Sequence, residues 1–338
     1  MIARLLRLLI VLALSLPMLA WSQNGGDFSN NLQPVTKVPE GVLLVKGAWS
    51  SASDSLTPLP EGGAVTNNIF KNQYFGMTYP LPAGFTQRYE GPPPADSGRY
   101  VLAQIRPDPT FKGTTKASIL ITAQDMFFTP IHDPSVLRYV NDSKDYLEAD
   151  YKLEQPPTQT KIAGRPFLFY AYWSPVAQLH WYVLATQIRC HEVEMVLSSR
   201  DTKLLSHFLL DMDKMTLPAE AGVTTGTGGG DAPVCISDYA IAGNMTARTE
   251  PIFSERRFNP VPVRIIIDKK GRVKHIHCLS AFPEQSKAIS DALDQWRFKP
   301  YLRNGQPVDV ETGVMFGRAP QWSAPSATTP VAGNGKTD

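Results

Sequence analysis

Between Val261 and Phe316 the apolar period of the chain changes from two residues to three or four and back again, and that order leaves few folds open. Val261, Val263, Ile265 and Ile267 alternate on one face of a strand. Asp268-Lys269-Lys270-Gly271 is a tight polar turn whose glycine can take positive φ, so the chain reverses there and Val273 to Leu279 returns as a second strand. Pro283 suits a first helical turn, where its missing N–H goes unused, and the helix runs to about Trp296. Ala288, Ile289, Ala292, Leu293 and Trp296 make its apolar stripe, while Lys287, Ser290, Asp291 and Asp294 face outward. Asn304-Gly305 is a turn signal, and Val308, Val310, Thr312, Val314 and Phe316 share one face of a closing strand. A three-stranded antiparallel sheet with one helix packed on it is the economical solution.

Three motifs stand in sequence here: D-x-x-G-x-V from Asp268 to Val273, A-L-x-x-W-R-F-x-P from Ala292 to Pro300, and N-G-x-P-V from Asn304 to Val308. In this order and spacing, residues of about 255–317 resemble the C-terminal domain of the TonB family, periplasmic modules that grip outer-membrane transporters. The resemblance implies a protein partner, such as an outer-membrane receptor, held by main-chain hydrogen bonds along the edge of the closing strand. It places partner binding on Val308, Val310, Glu311, Thr312, Val314 and Phe316, and makes Trp296, Phe298 and Pro300 scaffold. The expected role is strand-addition binding in energy-coupled transport across the outer membrane. The alternative is an exported structural or interaction module with no energy-transducing role. The family's long Pro-rich spacer is missing, because the 29 prolines are dispersed among turns.

A chain of 338 residues predicts about two domains. Residues 1–22 read as a signal peptide: Arg4 and Arg7 are the charged region, Leu8 to Ala20 the apolar core, and Ala20-Trp21-Ser22 a cleavage site before Gln23. The expectation is a periplasmic or secreted protein; the alternative is an inner-membrane anchor over residues 5–21. Residues 23–67 read as an extended lead-in, in which Gly41 to Val45 is expected to add a strand to the domain that follows. Residues 218–232 form a Gly/Thr-rich linker, expected to be flexible, before the domain at 233–317, and residues 318–338 a disordered tail.

Residues 68–217 read as an α/β domain, the whole being an α+β chain. Strands are expected at Tyr74 to Pro82, Arg99 to Arg106, Ala117 to Phe127, Thr160 to Trp173, Gln178 to Arg189 and Glu192 to Ser198. One helix opens at Asp133-Pro134, and another runs from Asp201 to Met215 with Leu204, Leu205, Phe208, Leu209 and Met212 as its buried stripe. The opening YFGMTYPLPAGF, the G-R-P turn and the final strand-helix order resemble the PsbP-like α/β/α sandwich, whose members serve unrelated tasks.

No nucleophile elbow, zinc-protease helix, C-x-x-C or phosphate loop occurs, so no enzyme activity, cofactor or catalytic residue is expected. His275 and His277 share a strand face but lack an apparent third ligand, and His191 and Glu192 point to opposite faces beside Cys190, Glu194 and His180, so no metal site is expected. A net charge of +2 gives no sign of nucleic-acid binding. Residues 251–317 carry 11 Lys and Arg against 7 Asp and Glu, a +4 bias that can steer an acidic partner. Three cysteines leave at least one unpaired: Cys190–Cys235, Cys235–Cys278 and a fully reduced state all remain open.

Overall fold

Strand-forming sequence in the middle third of the chain produces one large sheet. The computed structural model describes residues 40–45, 48–54, 58–89, 97–110, 116–129, 135–145, 147, 150–218, 232–241, 243–253 and 260–317. The expected signal peptide, the lead-in as far as residue 39, linker residues 219–231 and the tail 318–338 lie outside the described residues. Everything described belongs to one compact unit, residues 38–338.

Two strands come first, β1 (Leu43–Val45) and β2 (Ala48–Ser53), then a small antiparallel sheet of β3 (Ala64–Thr66), β4 (Ile69–Asn72) and β5 (Met77–Pro80). The large sheet is built from β6 (Phe85–Tyr89), β7 (Arg99–Pro107), β8 (Ala117–Asp125), β9 (Lys152–Ile162), β10 (Arg165–Ser174), β11 (Leu179–Ile188) and β12 (His191–Ser199). Its order is β6-β7-β8-β12-β11-β10-β9, antiparallel throughout. Helix α1 (Val136–Asp145) covers one face through Val140, which packs with Tyr170, Val183 and Ala185. Helix α2 (Thr202–Met212) covers the other through Leu205, Phe208 and Met212 against Ile121, Leu184 and Leu197. Asp201 caps α2 by accepting the Lys203 N–H at 2.8 Å. The result is the expected α/β/α sandwich.

The expected strand Thr160 to Trp173 is instead a hairpin, reversed at Ala163 and Gly164, whose φ values of 47° and 80° are both left-handed. Its first arm, β9, is the sheet's edge strand, so it tolerates Pro156 and Pro157 and stays largely exposed. An exposed strand has no apolar alternation to reveal it.

The C-terminal part contains β13 (Val234–Cys235), β14 (Met245–Ala247), β15 (Val261–Ile267), β16 (Val273–Cys278), helix α3 (Pro283–Leu293), β17 (Arg297–Phe298), β18 (Leu302–Arg303), β19 (Gln306–Pro307) and β20 (Val310–Phe316). Val261, Val263, Ile265, Ile267, Val310 and Phe316 bury one sheet face against Ile289, Leu293 and Trp296. Gly271 turns the hairpin at φ 77°, and a Cβ there would lie 1.9 Å from the Phe298 carbonyl oxygen, so only glycine fits.

The sheet around this helix has six strands, not three, in the order β1-β2-β16-β15-β20-β13. The strand expected at Gly41 to Val45 forms, but it pairs with β2, and β2 pairs with β16 of the C-terminal sheet instead of joining the sandwich. The closing strand starts at Val310, two residues later than its apolar alternation indicates, because Gln306-Pro307 pairs back on Leu302-Arg303.

Candidate functional site

The outer edge of β20 is built by main chain. β15 pairs with β20 along its whole length on the inner side. On the outer side β13 runs parallel to it, with Val234 opposite Val310 and Cys235 opposite Glu311. The Val234 N–H donates to the Asp309 carbonyl at 2.8 Å and the Ile236 N–H to that of Glu311 at 3.1 Å. Peptide groups in such a ladder alternate sides, so Gly313 and Met315 direct their N–H and C=O outward beyond the end of β13. Among the described residues no strand pairs with 312–316 on that side.

Side chains of the expected partner-binding residues go elsewhere. Val310, Val314 and Phe316 pack into the helix-facing core, and Thr312 is buried on the same face, donating to the Ser237 carbonyl at 3.4 Å. Val308 precedes the strand, its N–H bonded to the Tyr301 carbonyl. Glu311 points the other way, into the sandwich.

There it enters a buried ionic cluster. Tyr74 donates to Glu311 Oε1 at 2.9 Å and Arg189 Nη2 to Oε2 at 3.1 Å, while Arg264 Nη2 contacts both Oε1 and the Tyr74 oxygen. Arg264 Nε also lies 2.7 Å from Asp125 Oδ2, so one guanidinium from the C-terminal sheet bridges two carboxylates. Arg189 stacks over the Tyr74 ring at 3.9 Å. Burial would raise Glu311, but Arg264 and Arg189, helped by the Tyr74 hydroxyl, hold it below the usual carboxylate range. At Asp125 burial wins over Arg264 and pushes the carboxyl up to about 6. His191 is driven well below its usual range, by burial first and the arginines second, and is neutral among the rings of Tyr74, Phe75 and Tyr100.

A cavity of about 50 Å³ borders this cluster, lined by Ser53, Tyr74, Arg189, Arg264, His277 and Glu311 among others. His277 Nε2 lies 2.8 Å from Glu61 Oε1, so this histidine also faces the interface. Among the described residues no group of three His, Cys, Asp or Glu side chains is placed to hold a metal ion. Gly313 completes the close approach, since a Cβ there would come within 2.6 Å of Phe127 Cβ.

Cys190, in the turn between β11 and β12, is bonded to Cys235 of β13 with a Cα–Cα distance of 5.5 Å. Cys278 is the buried free thiol, raised to about 12 by burial. Sequence reasoning found the strand but missed Asp125, Tyr74, Arg189 and Arg264. One signal was available: Arg264 and Glu311 are charges set inside apolar strands, which a solvated sheet face would not explain.

Residues 255–317 match the family model described as the Gram-negative bacterial TonB protein C-terminal. The match covers one domain. No curated protein matches the chain. Among solved structures, the chain is similar to the solution structure of cyanobacterial PsbP (CyanoP) from Synechocystis sp. PCC 6803, at 14% identity and a TM-score of 0.33, over 53% of this chain and 99% of that one. Among the described residues no helix is long and apolar enough to cross a membrane.

Proposed function

We propose that this TonB-like chain is an envelope adaptor that binds a partner protein by adding a partner strand to the outer edge of β20. The observation that supports this reading is the exposed outward edge at Met315, next to a Gly313 that is itself buried, in a domain matched to the TonB C-terminal family. One exposed outward-facing residue supplies few hydrogen bonds, each worth ~0.5–1.5 kcal/mol net, so the contact is weak and transient. An outer-membrane receptor segment is the partner class the family suggests, in energy-coupled transport.

The test titrates the full chain with extended peptides from the periplasmic faces of outer-membrane receptors. Proline is tolerated where an edge N–H faces outward, so Met315→Pro should stay folded and lose binding. Thr312→Pro removes an N–H directed at β15 and should unfold the C-terminal sheet. Binding that persists in folded Met315→Pro overturns the reading.

A second reading, a structural envelope module without energy coupling, is favoured by the Cys190–Cys235 bond, which fixes the C-terminal sheet to the sandwich. Unchanged receptor-dependent uptake in cells lacking the protein would select it.

A further inference from the structure

β13 is a two-residue strand, yet it occupies the outer edge at the position where a partner strand would begin. Its own ladder is short. The Val234 and Ile236 amides hold its two ends, and only Val234 and Cys235 lie in register with β20. Cys235 is exposed, whereas Cys190 is buried beside the Glu311 carboxylate, 3.5 Å from Oε2. Downstream, Tyr239 is buried in the C-terminal core with its hydroxyl bonded to the Lys299 carbonyl, so the segment has an anchor independent of the disulfide.

We propose that the Cys190–Cys235 disulfide is a redox latch that holds β13 over the edge of β20, and that a dithiol reductant opens this edge. The inference rests on the strand-addition reading for its purpose, but not for its mechanism. A reductant thiolate attacks the sulfur of Cys235, the exposed residue of the pair, the protein S–S bond breaks, and the Cys190 sulfur leaves as a thiolate that takes up a proton. The reductant's second thiol then attacks the mixed disulfide. Cys235 is released as a thiol, and the reductant carries away the disulfide, having given two electrons and two protons. The Cys190 thiol keeps Glu311 Oε2 as an acceptor, so the reduced state strands no buried donor. With β13 pivoting at Tyr239, the Glu311 peptide group is released from β13 and joins the outward edge that ends at exposed Met315, lengthening the template.

The experiment compares the oxidised full chain, the same chain reduced with dithiothreitol, and Cys235→Ser. Amide exchange is read at Val234 and Ile236, with β15 and β16 as internal reference. Opening should speed exchange at those two amides by at least about tenfold and leave the reference strands protected. Unchanged protection at Val234 and Ile236 overturns the latch. So does loss of protection across the whole sheet, which would make the disulfide a general staple. In the same samples, receptor-derived peptide should bind about tenfold tighter to the reduced chain. If the two amides are released and no peptide binds in either state, the latch stands and the strand-addition reading falls.

Discussion

Arg264 on β15 reaches diagonally to Glu311 on β20, and Tyr74 of the sandwich closes over the pair, leaving each side chain 3% exposed. Both residues belong to the C-terminal sheet, but their other partners, Asp125 and Arg189, come from the sandwich. A charge pair within one sheet has become the seam between two layers.

Arg264→Met should be among the most damaging single substitutions. It leaves Glu311 and Asp125 buried with reduced compensation, a situation that costs about 3–5 kcal/mol. Urea unfolding measures the loss. A change below about 1 kcal/mol would mean that water enters the seam freely.

Asp125→Asn should alter pH dependence more than stability at any one pH. The folded carboxyl sits at about 6, above its ordinary 3.8, so the folded state holds the proton more tightly. Its stabilising contribution is therefore complete below about 3.8 and is lost as pH rises through about 6. Glu311 and His191, both shifted down, act in the opposite sense and lose their contribution as pH falls. Melting temperatures of the variant and the parent, measured from pH 4 to pH 7, isolate Asp125: the variant should gain on the parent as pH rises. A constant difference would refute the shift.

Gly313→Ala should push the layers apart. Its new methyl would meet Phe127 Cβ at 2.6 Å and the Phe128 ring at 3.0 Å, overpacking that typically costs about 1–3 kcal/mol. Calorimetry should show a lower melting temperature than for Gly305→Ala, where no atom lies within 4 Å of the added carbon. Both glycines are compared because Gly305 has positive φ and no neighbour, so its alanine reports backbone strain alone, whereas Gly313→Ala reports contact alone; a Gly313→Ala chain as stable as the parent would mean that the seam gives way around the methyl.

Trp296→Ala should cost about 3–5 kcal/mol, because the indole is 1% exposed and its N–H bonds the Thr249 carbonyl at 2.7 Å. Trp296→Phe, which keeps an aromatic ring, should recover part of that loss in denaturant titration.

The elements legible in sequence were those whose two faces differ. Val261 to Ile267 alternates cleanly because one face meets Trp296 and α3, and the α2 stripe is visible because Leu205, Phe208 and Met212 recur at helical spacing. β9 was hidden by its exposure, and β13 by its length of two residues. The seam was hidden for a different reason. Asp125, Arg189, Arg264 and Glu311 are far apart in sequence, and nothing local to any of them reveals which partner will neutralise it. The cysteine pairing was undecidable on the same ground, since only the fold brings the β11–β12 turn against β13.

Because β2 lies beside β16, the six-stranded sheet takes strands from both sides of the sandwich, and Ser53 bonds the carbonyl of a residue 223 positions later. The sandwich is thus an insertion within the sheet that follows it. During synthesis, β2 emerges early with only β1 to pair with and must wait for β16 while the whole inserted layer is made. A chain ending before Val273 offers it no register, and a fragment beginning at residue 233 lacks it altogether. A single protease nick at residues 219–231 would leave two pieces still joined by that pairing and by the Cys190–Cys235 bond, so they would part only after both reduction and unfolding.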